Sequence, residues 1–386
     1  MNKSAARHDL SPAVLTTPGH GSGPRRDLRP LATISSRLLA AALTRVTGRW
    51  LAALASLALA TSASAATGIT VLPAPPDSGP VTVFYPTTAT PARYQRGPFV
   101  FQLASDAPPA RGNGHLIVVS HGSGGSPWPQ ADLAMALVDA GFTVAMPEHA
   151  GDNFHDISRV GPVSWEHRPK EVSQAIDAMA ADARFASRLD FQHVGMYGMS
   201  AGGHTALTLA GGRWSPARLA QHCEAHLADD FPACVGLATE LTGSSLDALR
   251  LSVARKVIHH KFDDQTEPRE WNEPRITAIV ATVPAATTFD MSSLARPRVP
   301  LGLVRAGKDE WLKPQWHVDA VRAACKPCTL VADMSTAGHG STLSPMPPDL
   351  PPRAARLIND PPGFDRGTLP ATYMAITRFF LQNLSP

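Results

Sequence analysis

Over residues 115–201 short apolar runs alternate with helical stretches, and this rhythm restricts the possible fold more than any other feature of the chain. Runs at 115–120, 142–146 and 193–197 read as strands, with helices around 130–140 and 170–183 and another opening at Ala201. A strand that is apolar along its whole length is covered on both faces, and strands separated by helices pair in parallel. The expectation is an α/β fold with a mostly parallel sheet and helices on both faces. Strands resume at 276–283, 299–304 and 329–332, with helices near 314–324 and 371–384. Two shorter β-rich runs, 81–85 and 99–103, follow a proline-rich link at 73–80 and read as an antiparallel edge. Residues 212–272 break the rhythm with mixed polar, aromatic and cysteine content, and read as a cap-like insertion over the carboxyl end of the sheet. No internal repeat is present, so residues 66–386 are read as one domain.

Within this frame Gly198-Met-Ser200-Ala-Gly202 is the one G-x-S-x-G of the chain. The pentapeptide alone is a weak signal. Its position directly after an apolar strand and directly before a helix is what gives it weight, because a strand–turn–helix elbow lifts a serine to the top of the sheet and needs glycine where side chains would collide. A serine hydroxyl is a poor nucleophile until a base takes its proton, so Ser200 requires a histidine and an acid to orient it. In sheets of this type the acid and then the base follow the nucleophile along the chain. His317 and His339 are the two histidines beyond Asp309. His317 falls in a predicted helix and reads as a surface or packing residue, whereas His339 stands in the loop Ala337-Gly-His-Gly-Ser341 just past the last strand. Asp309 leaves the strand at 299–304 at its carboxyl end and is the favoured acid; Glu310 beside it should point away. Asp290, after the preceding strand, is the alternative acid.

Acyl transfer also needs donors for the developing oxyanion. The glycine-rich loop Ser120-His-Gly-Ser-Gly-Gly125 follows an early strand, and the backbone N–H groups of Ser123 and Ala201 are the proposed pair. Taken alone, that loop would serve equally as a strand-to-helix turn. His204, four residues after Ser200, reads as packing beneath the elbow; His259 and His260 lack metal-ligand spacing; Asp152 and Asn153 beside Gly151 read as turn formers or pocket lining. With no phosphate-binding glycine loop, H-E-x-x-H or EF-hand pattern, neither a cofactor nor a metal is expected.

The formal net charge is +3 with a sequence pI near 8.8, but residues 1–65 hold eight Lys/Arg against Asp9 and Asp27, so the remainder is mildly acidic. That distribution gives no reason to expect nucleic-acid binding by the folded part. Arg45 and Arg49 precede the apolar run at 50–60, and Ala63 and Ala65 are spaced as an A-x-A site, so residues 1–65 read as an export signal cleaved after Ala65. The apolar run is well short of the roughly 20 residues that span a bilayer. Residues 1–44 make a long basic leader, either a mis-assigned start or a disordered segment; Arg25-Arg26 resembles a twin-arginine signal only faintly, since Arg37 interrupts the apolar stretch behind it. Periplasmic or secreted destinations fit alike. Four cysteines in a chain bound for an oxidising compartment imply two disulfides, and proximity favours Cys223–Cys234 and Cys325–Cys328.

The segments 120–125, 145–153, Arg168-Pro-Lys with the helix after it, 198–202 and 337–339 resemble the dienelactone-hydrolase-like and platelet-activating-factor-acetylhydrolase-like branch of the α/β hydrolases, over about residue 80 to the end. The resemblance implies a Ser–Asp–His esterase with an oxyanion N–H just after His-Gly, at Ser123. Dienelactone hydrolases carry cysteine where this chain has Ser200, so their substrate is not implied, and acetylhydrolase-type enzymes can carry the acid after the earlier strand, which keeps Asp290 open. The expected activity is cleavage of small-molecule, lipid or polymeric carboxylic esters through an acyl-enzyme on Ser200, with pocket size set by the insertion. The alternatives are a peptidase or amidase with the same residues, or a non-catalytic binding protein on a hydrolase scaffold.

Overall fold

The computed structural model describes residues 66–73 and 77–384; the expected signal and its cleavage after Ala65 lie outside them. Ten strands form one sheet in the order β10-β9-β8-β7-β5-β6-β2-β1-β4-β3. β5 (His115–Ser120), β6 (Thr143–Pro147), β7 (Asp190–Met199), β8 (Ile276–Thr282), β9 (Leu301–Ala306) and β10 (Thr329–Met334) are all parallel. β2 (Val81–Thr87) joins β6 antiparallel and β1 (Ala66–Leu72) joins β2 antiparallel, while β4 (Phe99–Ser105) runs parallel to β1 and antiparallel to β3 (Ala92–Arg96). This mostly parallel sheet with helices on both faces is an α/β-hydrolase fold.

Side-chain alternation along the strands divides the core into two halves. On β5, Ile117 and Val119 enter one hydrophobic cluster and Leu116 and Val118 the other. The first half is covered by α1 (Ala131–Asp139) and the helix Leu369–Asn383, which contribute Leu133, Leu137, Ile376 and Phe380. The second is covered by α2 (Pro162–Ala181), α3 (Ala201–Leu209) and α7 (Val318–Ala324). On α2 the buried residues Val172, Ala175, Ile176 and Met179 follow the 3–4 spacing of a single helix face.

Two boundaries differ from expectation. α2 begins at Pro162, eight residues before the expected start, and contains Pro169 in its interior. Arg168-Pro169-Lys170 therefore lies inside the helix and not ahead of it, and the prolines at both places explain the error, since proline is favoured at a helix start and misleading inside one. The expected helix at 314–324 divides into a 3-10 turn, Pro314–Trp316, and α7, with His317 at the break. His317 is 1% exposed, and its Nδ1 accepts the Ala286 N–H at 3.0 Å; it is a core histidine, not a surface one.

Between α3 and β8 the insertion folds as α4 (Pro216–His226), α5 (Phe231–Val235) and α6 (Asp247–Phe262) around a small core of its own that includes Leu219, Leu227, Phe231 and Ile258. Cys223–Cys234 staples that core with Cα atoms 5.8 Å apart, and Cys325–Cys328 bridges the end of α7 to the turn before β10. No cysteine is free. Among the described residues no helix is long and apolar enough to cross a membrane. A Cys223→Ala/Cys234→Ala double variant is expected to lose about 3 kcal/mol, the loop-closure entropy for a loop of this size. Cys325→Ala/Cys328→Ala closes a far shorter loop and should lose less. Urea unfolding followed by circular dichroism measures both; equal losses would contradict an effect set by the length of the closed loop.

Candidate active site

β7 ends at Met199 and α3 starts at Ala201, which leaves Ser200 alone at the turn with φ 59° and ψ −114°. A positive φ is costly for a serine. Here the backbone is held from three directions: the Ser200 N–H donates to the Thr282 carbonyl of β8 at 3.0 Å, and the Ser200 carbonyl accepts the N–H groups of His204 at 2.9 Å and Ala285 at 3.2 Å. The flanking glycines are required by close approach. A Cβ at Gly198 would stand 1.9 Å from the Gly202 carbonyl oxygen, and one at Gly202 would stand 2.0 Å from the Ser120 carbonyl oxygen.

The loops after β9 and β10 bring the other two residues to the serine. They are tied to each other by Gly307 N–H to the Met334 carbonyl at 2.9 Å and Lys308 N–H to the Ala337 carbonyl at 2.8 Å. Asp309 is buried, and one carboxylate oxygen accepts the Trp311 and Leu312 N–H groups, each at 2.8 Å. Its other oxygen faces His339 Nδ1 at 2.8 Å, and His339 Nε2 faces Ser200 Oγ at 2.9 Å. A carboxylate only accepts, so His339 carries its proton on Nδ1, and the bare Nε2 receives the Ser200 hydroxyl. Ser200 keeps some exposure while His339 is 4% exposed.

Asp290 lies elsewhere. Its carboxylate accepts Ser292 N–H and Oγ–H at the start of a surface 3-10 turn and pairs with Arg213 at 3.1 Å. Glu310 is exposed. The loop after β5 reaches the elbow: a Cβ at Gly122 would lie 3.5 Å from Ser200 Cβ. The Ala201 N–H opens α3 and so has no intrahelical acceptor, and the Ser123 N–H has no hydrogen bond among the described residues. His204 is fully buried beneath the elbow, stacked on Trp165 at 4.8 Å with Nε2 against Thr288 Oγ1 at 3.0 Å. His259 pairs with Glu224 and Asp263 on the surface. Among the described residues no group of His, Cys, Asp or Glu is arranged to hold a metal ion.

Sequence reasoning missed the polar layer under the β5 loop. Asn153 does form turns, its Oδ1 accepting the N–H groups of His155 and Asp156. Asp152 does not: it is fully buried and paired with the fully buried Arg168 at 2.9 Å. Beside this pair, Ser120 Oγ meets His149 Nε2 at 2.7 Å and His149 Nδ1 meets Glu171 at 2.5 Å. This second Ser–His–carboxylate array is closed to solvent, with Ser120 and His149 both at 0% exposure, so no substrate reaches it. Burial would raise the Asp152 carboxyl, but the Arg168 charge and the hydrogen bonds from Ser164, Ser123 and Gly124 outweigh it and hold the pKa below the ordinary value. Burial raises Glu171 despite the Ala150 N–H and Arg168.

Similarity to known proteins is confined to shape. No protein-family profile matches the chain, and a search of curated proteins finds no match. Among solved structures, a ferulic acid esterase from Streptomyces cinnamoneus superposes with a TM-score of 0.51 at 18% identity, covering 84% of this chain and 91% of that one. That likeness agrees with the α/β-hydrolase fold read from the strand order.

Burial, the largest cause in each case, drives the pKa values of His121, His149 and His204 well below the ordinary 6.5 of histidine. Below about 6.5 the unfolded chain protonates these three imidazoles and the folded chain does not, so the unfolded state binds more protons and stability falls as pH drops. Each proton contributes about 1.4 kcal/mol per pH unit. His259, held above its ordinary value by its hydrogen bonds to Glu224 and Asp263, acts in the opposite direction. The urea midpoint is expected to be clearly lower at about pH 5 than at about pH 7; equal midpoints would contradict three neutral buried imidazoles.

Proposed function

We propose that this protein is an exported serine hydrolase that cleaves carboxylic esters through an acyl-enzyme on Ser200, related to the dienelactone-hydrolase-like and platelet-activating-factor-acetylhydrolase-like branch of its fold. The observation that carries the reading is the continuous hydrogen-bonded line Asp309–His339–Ser200, at 2.8 and 2.9 Å, on a strained elbow where Ser200 keeps some exposure. With its Nδ1–H held by Asp309, His339 takes the Ser200 proton on Nε2 as Oγ attacks the ester carbonyl. The carbonyl oxygen gains the electron pair of the broken π bond and is met by the N–H groups of Ser123 and Ala201. The same proton passes to the departing alkoxide, and a water activated by His339 then releases the acid and restores Ser200.

Substrate class is supported from two sides. Phe154 and Ile157, both more than half-exposed, stand beside the oxyanion loop: the Phe154 N–H donates to the Gly125 carbonyl at 3.0 Å, and Ile157 would lie 3.8 Å from a Cβ on Gly124. Exposed apolar side chains at this place favour esters with an apolar acyl or alcohol part, and the ferulic acid esterase of similar shape acts on an ester. Export is supported by the two disulfides, which persist in oxidising compartments such as the periplasm or the exterior.

Purified mature protein is expected to hydrolyse p-nitrophenyl esters without added cofactor or metal. Ser200→Ala and His339→Ala should each lower kcat by about 10⁴-fold or more. Asp309→Asn should lower it by about 10⁴-fold, whereas Asp290→Asn should stay within about twofold. The reverse order for the two aspartates would move the acid to Asp290; turnover of anilides in place of esters would make the enzyme an amidase; and no turnover at all would leave a binding protein.

A further inference from the structure

The inference rests on the ester-hydrolase reading and concerns how the Ser123 N–H is aimed. Gly122 C=O and Ser123 N–H belong to one trans peptide, so they point in opposite directions. Whatever fixes the carbonyl therefore fixes the donor. The Gly122 carbonyl accepts three hydrogen bonds: His121 Nδ1–H at 2.7 Å, Gly125 N–H at 3.1 Å and Arg168 Nη2–H at 3.4 Å. His121 is itself held, since its Nε2 accepts the His149 N–H at 3.2 Å.

Arg168 and Asp152 together engage each residue from His121 to Gly124. The Arg168 guanidinium donates Nη1–H to the His121 carbonyl and Nη2–H to the carbonyls of Gly122 and Asp152. One Asp152 oxygen accepts Ser123 Oγ–H at 2.7 Å and Gly124 N–H at 2.8 Å, and the other accepts Ser164 Oγ–H at 2.5 Å and Arg168 Nε–H at 3.1 Å. Both partners are fully buried. A buried ion pair contributes little net stability over apolar residues of the same size, so stability alone does not account for it. What this pair does supply is a rigid fork under a glycine-rich loop that would otherwise be loose.

We propose that Asp152 and Arg168 are positioning residues of the oxyanion hole, locking the Gly122–Ser123 peptide so that the Ser123 N–H faces the oxygen of the tetrahedral intermediate. Neither residue touches substrate. Ser123 Oγ serves as the handle by which Asp152 grips the loop.

The test compares Asp152→Asn, Ser123→Ala and Ser123→Thr with the parent on p-nitrophenyl acetate and on an alkyl trifluoromethyl ketone. In the ketone adduct Ser200 Oγ bonds the carbonyl carbon, its proton goes to His339 and the carbonyl oxygen becomes the oxyanion, so affinity reports on the hole. Removing one oxyanion donor costs about 10²–10³-fold; misaiming one should cost less. In Asp152→Asn kcat should fall about 10- to 100-fold with KM nearly unchanged, and ketone affinity should fall by the same factor as kcat/KM. Ser123→Ala, a change on an exposed side chain, should show a smaller loss of the same pattern, and Ser123→Thr, which keeps the hydroxyl, should recover it. Should Asp152→Asn fail to fold, the two Ser123 variants decide alone. A folded Asp152→Asn, or a Ser123→Ala, with parental kcat and parental ketone affinity overturns the proposal and leaves the esterase reading standing. Absence of ester turnover by the parent overturns both.

Discussion

Ser200 sits in a backbone conformation that costs a serine roughly 1–3 kcal/mol, and the carboxyl end of the sheet is built to sustain it. Its N–H is bonded to β8, its carbonyl to the first turn of α3 and to the segment after β8. Gly198 and Gly202 bring β7, α3 and the end of β5 closer together than any side chain would permit. The strain places Oγ clear of the sheet, in line with His339.

Around this point the molecule uses burial to fix polar groups that would wander in water. Asp309 spends one oxygen on two backbone N–H groups so that the other has a single direction left for His339. The layer under the β5 loop follows the same logic with more members. Arg168, Asp152, Ser164, His149 and Glu171 are all nearly or wholly buried, and each bonds at least one other or the loop above. Unpaired, any of these groups would cost several kcal/mol at such depth. Paired, they turn a flexible glycine-rich loop into a fixed surface beside the serine.

Much of the sheet was legible in the sequence, because strands buried on both faces leave apolar runs, as β5, β6, β8, β9 and the second half of β7 do; β10 is a partly buried edge strand marked by Leu330-Val331-Ala332. β3 was not, since Ala92–Arg96 is largely exposed at the sheet edge and carries two arginines. β1 was not either, since Thr67, Gly68 and Thr70 break up its apolar residues. The residues meeting at the elbow could be read because strand order restricts where an acid and a base can emerge; sequence favoured Asp309 over Asp290, and the contact between Asp309 and His339 is geometrical. Asp152 and Arg168 could not be read in this way. Their partners lie as far as 48 residues away, they follow no periodicity, and an aspartate next to a glycine looks like a turn. Pro169 further concealed that Arg168 belongs to a helix facing the β5 loop.

The most direct measurement is reaction of the folded protein with a fluorophosphonate, followed by peptide mass analysis to locate the adduct. A hydroxyl activated by His339 should be labelled stoichiometrically at Ser200, with labelling abolished by prior unfolding and by His339→Ala. Failure of Ser200 to label in the folded protein, or labelling unaffected by removal of the imidazole, would contradict a nucleophilic serine at this elbow.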